Sequence, residues 1–150
     1  MDAQVQLDSF IDKFTPEVAA LTRALMDKMK VRIPGAAILV YDNYNALAIG
    51  FGPNDKAGQA ILSLAVMPRW VTLCLLWGVR LADPHQLLKG GGSRVRHVRL
   101  FAPDALDDPR IDALIAEALV RADVPIDPAR PQRLIIKSIS AKQRPRRPKA

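Results

Sequence analysis

The spacing of apolar residues predicts three helices, two at the start of the chain and one near its end. The first is indicated by an i, i+3, i+4, i+7 pattern, which places side chains on one helix face: Leu7, Phe10, Ile11 and Phe14. The second should begin with Thr15 as N-cap and Pro16 in the first turn, and end before Pro34. Asp108-Pro109 repeats this start ahead of the clearest helical stripe, Ile111, Leu114, Ile115, Ala118, Leu119 and Ala122.

Short apolar runs between these helices predict strands at 46–51, 61–66, 70–77 and 95–100, and a closing strand at 134–136. The run 70–77 is the most apolar, which predicts that it forms the centre of the sheet. Residues 35–41 fit either a buried strand or one or two helical turns after Pro34. The connections between strands are too short for crossover helices. The expected fold is therefore α+β, a mainly antiparallel sheet with helices packed at both chain ends.

Composition narrows the class of protein. The 150 residues suit one domain, and no apolar run reaches the length of a membrane helix. The N-terminus lacks the pattern of a signal peptide, and a single cysteine, Cys74, rules out an internal disulfide and a thiolate metal cage. We therefore expect a cytoplasmic protein that does not associate with membranes. Composition says nothing about its oligomeric state.

The net charge of +7 is unevenly distributed. Residues 1–129 carry 14 Lys/Arg and 15 Asp/Glu, whereas residues 130–150 carry 8 basic residues and no acidic ones. We predict a domain at 1–140 followed by a basic, disordered tail at 141–150. Such a tail could bind nucleic acid or an anionic surface by counterion release, or it could only aid solubility. The nucleic-acid hypothesis assigns the contacts to Arg144, Arg146, Arg147 and Lys149.

A glycine-rich loop at 89–94 is the other candidate site. Its glycines could let backbone N–H groups converge on an anion, and guanidinium groups could add charged hydrogen bonds. This hypothesis assigns an anionic small molecule to Lys89, Gly90, Gly92, Arg94, Arg96 and His97. The alternative is a flexible connector that leads into a strand with a solvated basic face. The loop is not a P-loop, because Gly92 is followed by Ser93 and not by Lys-Ser or Lys-Thr.

Metal and catalytic sites have little support in the sequence. Asp8, Asp12 and Glu17 are too few for an acidic iron-binding surface, and Asp83, His85 and His97 form a thin ligand set. Catalysis by a nucleophile and a base is not indicated either, because Cys74 belongs to a predicted core strand. We predict no catalytic residues, no metal ligands and no cofactor.

A succession of motifs over about residues 5–122 resembles the YdhG-like family, catalogued as domain of unknown function 1801. The matching residues run from Tyr41-Asp42-Asn43-Tyr44-Asn45-Ala46-Leu47 and Gly52-Pro53 through Pro68-Arg69-Trp70-Val71 and Gly78 to Leu81, Asp83-Pro84, Leu87-Leu88, Gly90, Gly92 and Arg96-His97-Val98. The resemblance implies a compact α+β fold, distantly similar to YjbR and frataxin-like folds, with 35–41 helical. It implies no particular activity, and Ser93 stands where family members often carry Lys.

These observations favour a non-enzymatic binding or adaptor module with an anion site at the glycine-rich loop. The alternatives are a nucleic-acid-associated protein that uses its basic tail, and an iron-chaperone-like metal-handling protein.

Overall fold

A computed structural model describes residues 2–149 and confirms the α+β class within them. The helices are α1 (Ala3–Ile11), α2 (Pro16–Arg32) and α3 (Pro109–Arg121). The strands are β1 (Ala37–Asp42), β2 (Leu47–Gly52), β3 (Leu62–Val66), β4 (Val71–Leu75), β5 (Arg96–Leu100) and β6 (Arg133–Ile139). Short 3₁₀ turns lie at Ala57–Gln59, Gly78–Arg80 and Pro103–Asp107. Between residues 2 and 149, none of the helices has the length and apolar character needed to cross a membrane.

The helix starts follow the local sequence. The Thr15 side chain accepts a hydrogen bond from the backbone N–H of Val18, and the Asp108 carboxylate accepts one from that of Arg110. In both helices proline occupies the first turn, where its missing N–H costs nothing. Local chemistry is therefore sufficient to place these two starts.

The six strands form one sheet in the order β5-β4-β3-β2-β1-β6. Every neighbouring pair is antiparallel except β1 and β6, which are parallel, so the mainly antiparallel prediction is confirmed. The prediction of a helix at 35–41 is wrong. Hydrogen bonds to β2 on one side and β6 on the other hold residues 37–42 extended.

The prediction that the run 70–77 lies at the sheet centre is also wrong, because β4 is the second strand from an edge. Its buried residues, Val71, Leu73 and Leu75, alternate with half-buried Thr72 and Cys74. The apolar run therefore belongs to a strand that buries only one of its two faces.

All three helices pack against one face of the sheet in a single core. Alternate strand residues supply the sheet side of this core, including Ile38, Val40, Ile49, Phe51, Leu64 and Leu73. The other face, which we call the open face, carries small, half-buried side chains on the central strands: Ala48, Ser63, Ala65, Thr72 and Cys74.

The C-terminal segment lies against the body of the protein, contrary to the disorder predicted for 141–150. The backbone N–H of Ser140 donates to the Asp42 carbonyl at 2.8 Å, and that of Arg144 donates to the Tyr44 carbonyl at 2.9 Å. Arg146 is 6% exposed. The segment is thus held in place at least as far as Arg147, whose guanidinium donates to the Lys13 carbonyl. Ala150 lies outside the described residues.

Candidate anion-binding edge

The chain between β4 and β5 is fixed first by a turn around Asp83. Its carboxylate accepts hydrogen bonds from the backbone N–H groups of Leu87 at 3.0 Å and Leu88 at 2.8 Å. The two leucines are partly buried against the core. The start of the glycine-rich loop is therefore anchored by packing and by a carboxylate that is already engaged.

The base of the loop is closed by the backbones of Lys89 and His97. Each donates its N–H to the other's carbonyl, at 2.8 and 2.9 Å. Gly90 has φ +117°, where a side chain would be strained, whereas a Cβ on Gly91 or Gly92 would contact nothing within 4 Å. The loop is thus fixed at its base and open to solvent at its tip.

The Arg96 side chain stabilises this loop by hydrogen bonds to its backbone. Its Nη1 donates to the Gly92 carbonyl at 2.6 Å and to the Val95 carbonyl at 2.8 Å. Its backbone passes so close to Gly78 that a Cβ on that glycine would lie 2.5 Å from the Arg96 Cβ. Arg96, predicted as a ligand-binding residue, therefore has part of its guanidinium committed to the loop.

Arginines lie over both tryptophans, which flank β4 in the sequence. At one end of the strand, the guanidinium carbons of Arg80 and Arg94 lie 4.0 and 5.0 Å from the centroid of the Trp77 ring. At the other end, that of Arg99 lies 3.9 Å from the Trp70 centroid. These cation–π contacts were not predicted from the sequence. The register of β4 and β5, which sets them, cannot be read from composition.

Several cations at this edge have no acidic partner among residues 2–149. They are Lys89, Arg94, Arg96 and Arg99, whereas Arg80 lies 3.7 Å from Asp123. Positions 56–103 hold seven Lys/Arg and one Asp, a net charge of +6. Acidic residues elsewhere in 1–129 offset this local excess, so the net charge of that whole range is −1. We call the surface formed by Arg80, Lys89, Arg94, Arg96 and Arg99 the basic edge.

The tail residues predicted to bind nucleic acid differ in how far the structure exposes them. Arg146 is buried, and its Nη2 donates to the Asp42 carboxylate at 2.9 Å and to the Asn43 carbonyl at 2.6 Å. Arg144 lies over the Tyr44 ring, and Lys149 is exposed. Arg146 is therefore unavailable to an external ligand.

The carboxylate that binds Arg146 is itself buried. Burial acts to raise the pKa of Asp42, but hydrogen bonds involving Lys13, Gln143 and Arg146 outweigh it and hold that pKa below its usual value. Asp42 is therefore charged at neutral pH and attracts both cations.

The residues considered as metal ligands do not come together. Asp8 and Asp12 both pair with Arg23, at 3.7 and 2.8 Å. Within residues 2–149, no group of three or more His, Cys, Asp or Glu side chains is placed to hold a metal ion.

One row across the open face has the residue types of a nucleophilic site. Ser63, Cys74 and His97 are register partners on β3, β4 and β5. However, burial raises the pKa of the Cys74 thiol, and a hydrogen bond with Ser63 offsets only part of this effect. In the described chain no hydrogen bond joins Cys74 to His97. The row therefore lacks an activated nucleophile.

No family model, curated protein or solved structure matches this chain. The resemblance to the YdhG-like family thus remains a prediction, and a function has to be argued from the geometry of the basic edge.

Proposed function

We propose that this chain is a cytoplasmic, non-enzymatic binding module that recognises an anionic ligand at the basic edge. The observation that carries the proposal is the Trp77 cluster beside the glycine-rich loop. There, two arginines lie over one indole, and neither Arg94 nor the neighbouring Lys89 has an acidic partner in the described chain.

Stacking on the Trp77 ring orients the Arg80 and Arg94 side chains for binding an anion. A guanidinium over an aromatic ring is held by the cation–π attraction, while the N–H groups at its edge stay free to donate. Less side-chain entropy is then lost when it binds a phosphate or carboxylate through two parallel hydrogen bonds. The closed base of the loop fixes the backbone of Lys89 through its bonds to His97 and so sets the position from which this side chain extends.

The assignment differs from the sequence hypothesis in which residues do the binding. Arg96 and Gly90 shape the loop, while Lys89 and Arg94 present charge to solvent. His97 supplies backbone bonds at the loop base. We therefore assign the ligand contacts to Lys89 and Arg94, with Arg80 as the third cation of the cluster.

Titration calorimetry with inorganic tripolyphosphate tests the proposal. We expect the double variant Lys89→Gln/Arg94→Gln to bind at least tenfold more weakly, which is about 1.4 kcal/mol. The matched control Arg130→Gln/Lys142→Gln removes two exposed positive charges elsewhere and should bind like the wild type. Failure of the wild-type protein to bind, or equal weakening in both double variants, would contradict the proposed site.

A further inference from the structure

A small recess adjoins the Trp77 cluster at the C-terminal end of α3. One of its walls includes Ala118 and Ala122 of that helix end, and another is formed by the segment 58–61. Trp77 and Arg80 line the same recess. An anion bound by the cluster would therefore lie beside the recess and could place a second group in it.

Short side chains leave this space open. Gly58 has no side chain, and Ala60, Ala118 and Ala122 each contribute a single methyl group to the lining. The volume of the recess is about 60 Å³. A water molecule occupies about 30 Å³ in the liquid, and a cavity that takes up benzene measures about 150 Å³. The recess therefore has room for about two methylene-sized groups and is too small for an aromatic ring.

The wall formed by 58–61 is fixed against the sheet. The backbone N–H of Ile61 donates to the Phe51 carbonyl at 2.9 Å, and the Ile61 carbonyl accepts from the N–H of Leu76 at 3.1 Å. Gly52 lies so close that a Cβ on it would be 2.9 Å from the Cα of Ala60. Because this wall is already ordered, an apolar group that enters the recess loses little affinity to ordering of the protein.

The charges around the recess favour an anionic head group beside it. Arg121 donates to Glu117 at 2.6 Å and is thus already paired. Asp123, the acidic residue of the lining, lies 3.7 Å from Arg80, but its side chain is 78% exposed, and so exposed a pair is weak. Arg94 of the adjoining cluster has no acidic partner within residues 2–149. An anion can therefore bind between Arg80 and Arg94.

Resting on the proposed function, we infer that the ligand of the basic edge is a small anion with a short aliphatic tail, an alkyl phosphate or an alkyl carboxylate. Its head group binds Arg80 and Arg94, and the end of its tail fills the recess beside Trp77. The tail adds selectivity among anions, because each methylene-sized group that leaves water favours binding. Tripolyphosphate, which has no tail, uses the cations alone.

Titration followed by ¹H–¹⁵N NMR tests the role of the tail. Methyl phosphate and n-butyl phosphate carry the same head group, so they differ only in tail length. We expect the wild-type protein to bind n-butyl phosphate about tenfold more tightly, because about two further groups become buried. Acetate and pentanoate form a second pair that shows whether the cluster accepts a carboxylate head group. A preference for the longer tail in either pair supports the inference.

Ala122→Leu and Gly58→Leu each reduce the recess from a different wall. Ala122 is half-buried at the end of α3, and a Cβ on Gly58 contacts nothing within 4 Å, so both variants should fold. Each should bind n-butyl phosphate about tenfold more weakly and methyl phosphate like the wild type. The matched control, Ala20→Leu, adds the same side chain at an exposed position of α2 and should bind both compounds like the wild type.

Two outcomes would overturn the inference alone. One is equal binding of the short and long members of both pairs, with tripolyphosphate binding that still depends on Lys89 and Arg94. The other is a preference for the longer tail that neither Ala122→Leu nor Gly58→Leu reduces, since the tail would then bind outside the recess. Failure to bind tripolyphosphate and all four alkyl anions would remove the proposed function as well.

Discussion

Replacing Arg146 with Ala tests whether the C-terminal segment is part of the folded body. The Arg146 side chain is 5% exposed and the Asp42 side chain 0% exposed, and their ion pair joins residues 104 positions apart. Arg146→Ala leaves a buried carboxylate with one cation fewer and the Asn43 carbonyl without its donor. Both groups then lose part of the compensation for their desolvation.

The size of the stability loss depends on the cation that still contacts the Asp42 carboxylate. Removing one partner of a buried ion pair costs about 3–5 kcal/mol. Lys13 stays 2.7 Å from the other carboxylate oxygen, but its side chain is 40% exposed and compensates only in part. We therefore expect Arg146→Ala to lower the free energy of unfolding by about 3 kcal/mol, a large fraction of the 5–15 kcal/mol typical of a domain.

Urea denaturation at pH 7, followed by tryptophan fluorescence, measures this loss. The matched control is Arg144→Ala, which removes an exposed arginine from the same segment and should cost no more than about 0.5 kcal/mol. Removal of residues 141–150 should cost at least as much as Arg146→Ala. A loss below about 1 kcal/mol for Arg146→Ala would show that the segment does not dock as described.

The stability difference between the wild type and Arg146→Ala should also depend on pH. The pKa of Asp42 is lowered in the folded state, so its contribution is fully present above its unfolded pKa, near 3.9. That contribution is lost as the pH falls through the lower, folded pKa. The difference should be constant at neutral pH and should shrink below about pH 4. A difference that grows on acidification would refute the assigned ion pair.

Two further predictions concern single residues in the fold. Gly35→Ala should lower the free energy of unfolding by at least about 2 kcal/mol, because Gly35 has φ +82° and a Cβ would meet the Asp127 carbonyl and lie 2.9 Å from the Pro128 Cα. Gly58→Ala, where a Cβ contacts nothing within 4 Å, is the control for the same urea measurement, and equal losses would contradict the argument. Cys74 should react with iodoacetamide at pH 7.5 at least about tenfold more slowly in the folded protein than in urea, because its thiol pKa is raised. Equal rates would show that the thiol is not shielded.

Features set by neighbouring residues were predictable from the sequence. The Thr15 and Asp108 side chains cap helices through N–H groups only two or three residues away. Buried and half-buried residues alternate along β3 because only one face of the sheet is covered by helices. In contrast, residues 37–42 form a strand because β2 and β6 pair with them on both sides. One of those partners, β6, lies about a hundred residues away in the sequence, beyond the reach of local propensity.

The site was predicted only in part for the same reason. The loop at 89–94 and its cations are evident in the sequence, but the stacking of Arg94 on Trp77 depends on how β4 and β5 meet. Disorder of the tail was argued from its charge, which describes an average over the segment. The fit of Arg146 to Asp42 depends on a fold that brings distant residues together.

The parallel pair of β1 and β6 has a consequence for the growing polypeptide. Ile38 is aligned with Leu134, so β1 is synthesised about a hundred residues before the strand that covers its flank. Until β6 arrives, an apolar strand presents an open row of backbone donors and acceptors, the kind of surface on which chains associate with one another. In this fold the last strand of the sheet therefore protects one of its first, and a polypeptide that stops before residue 133 carries an unprotected edge into the cell.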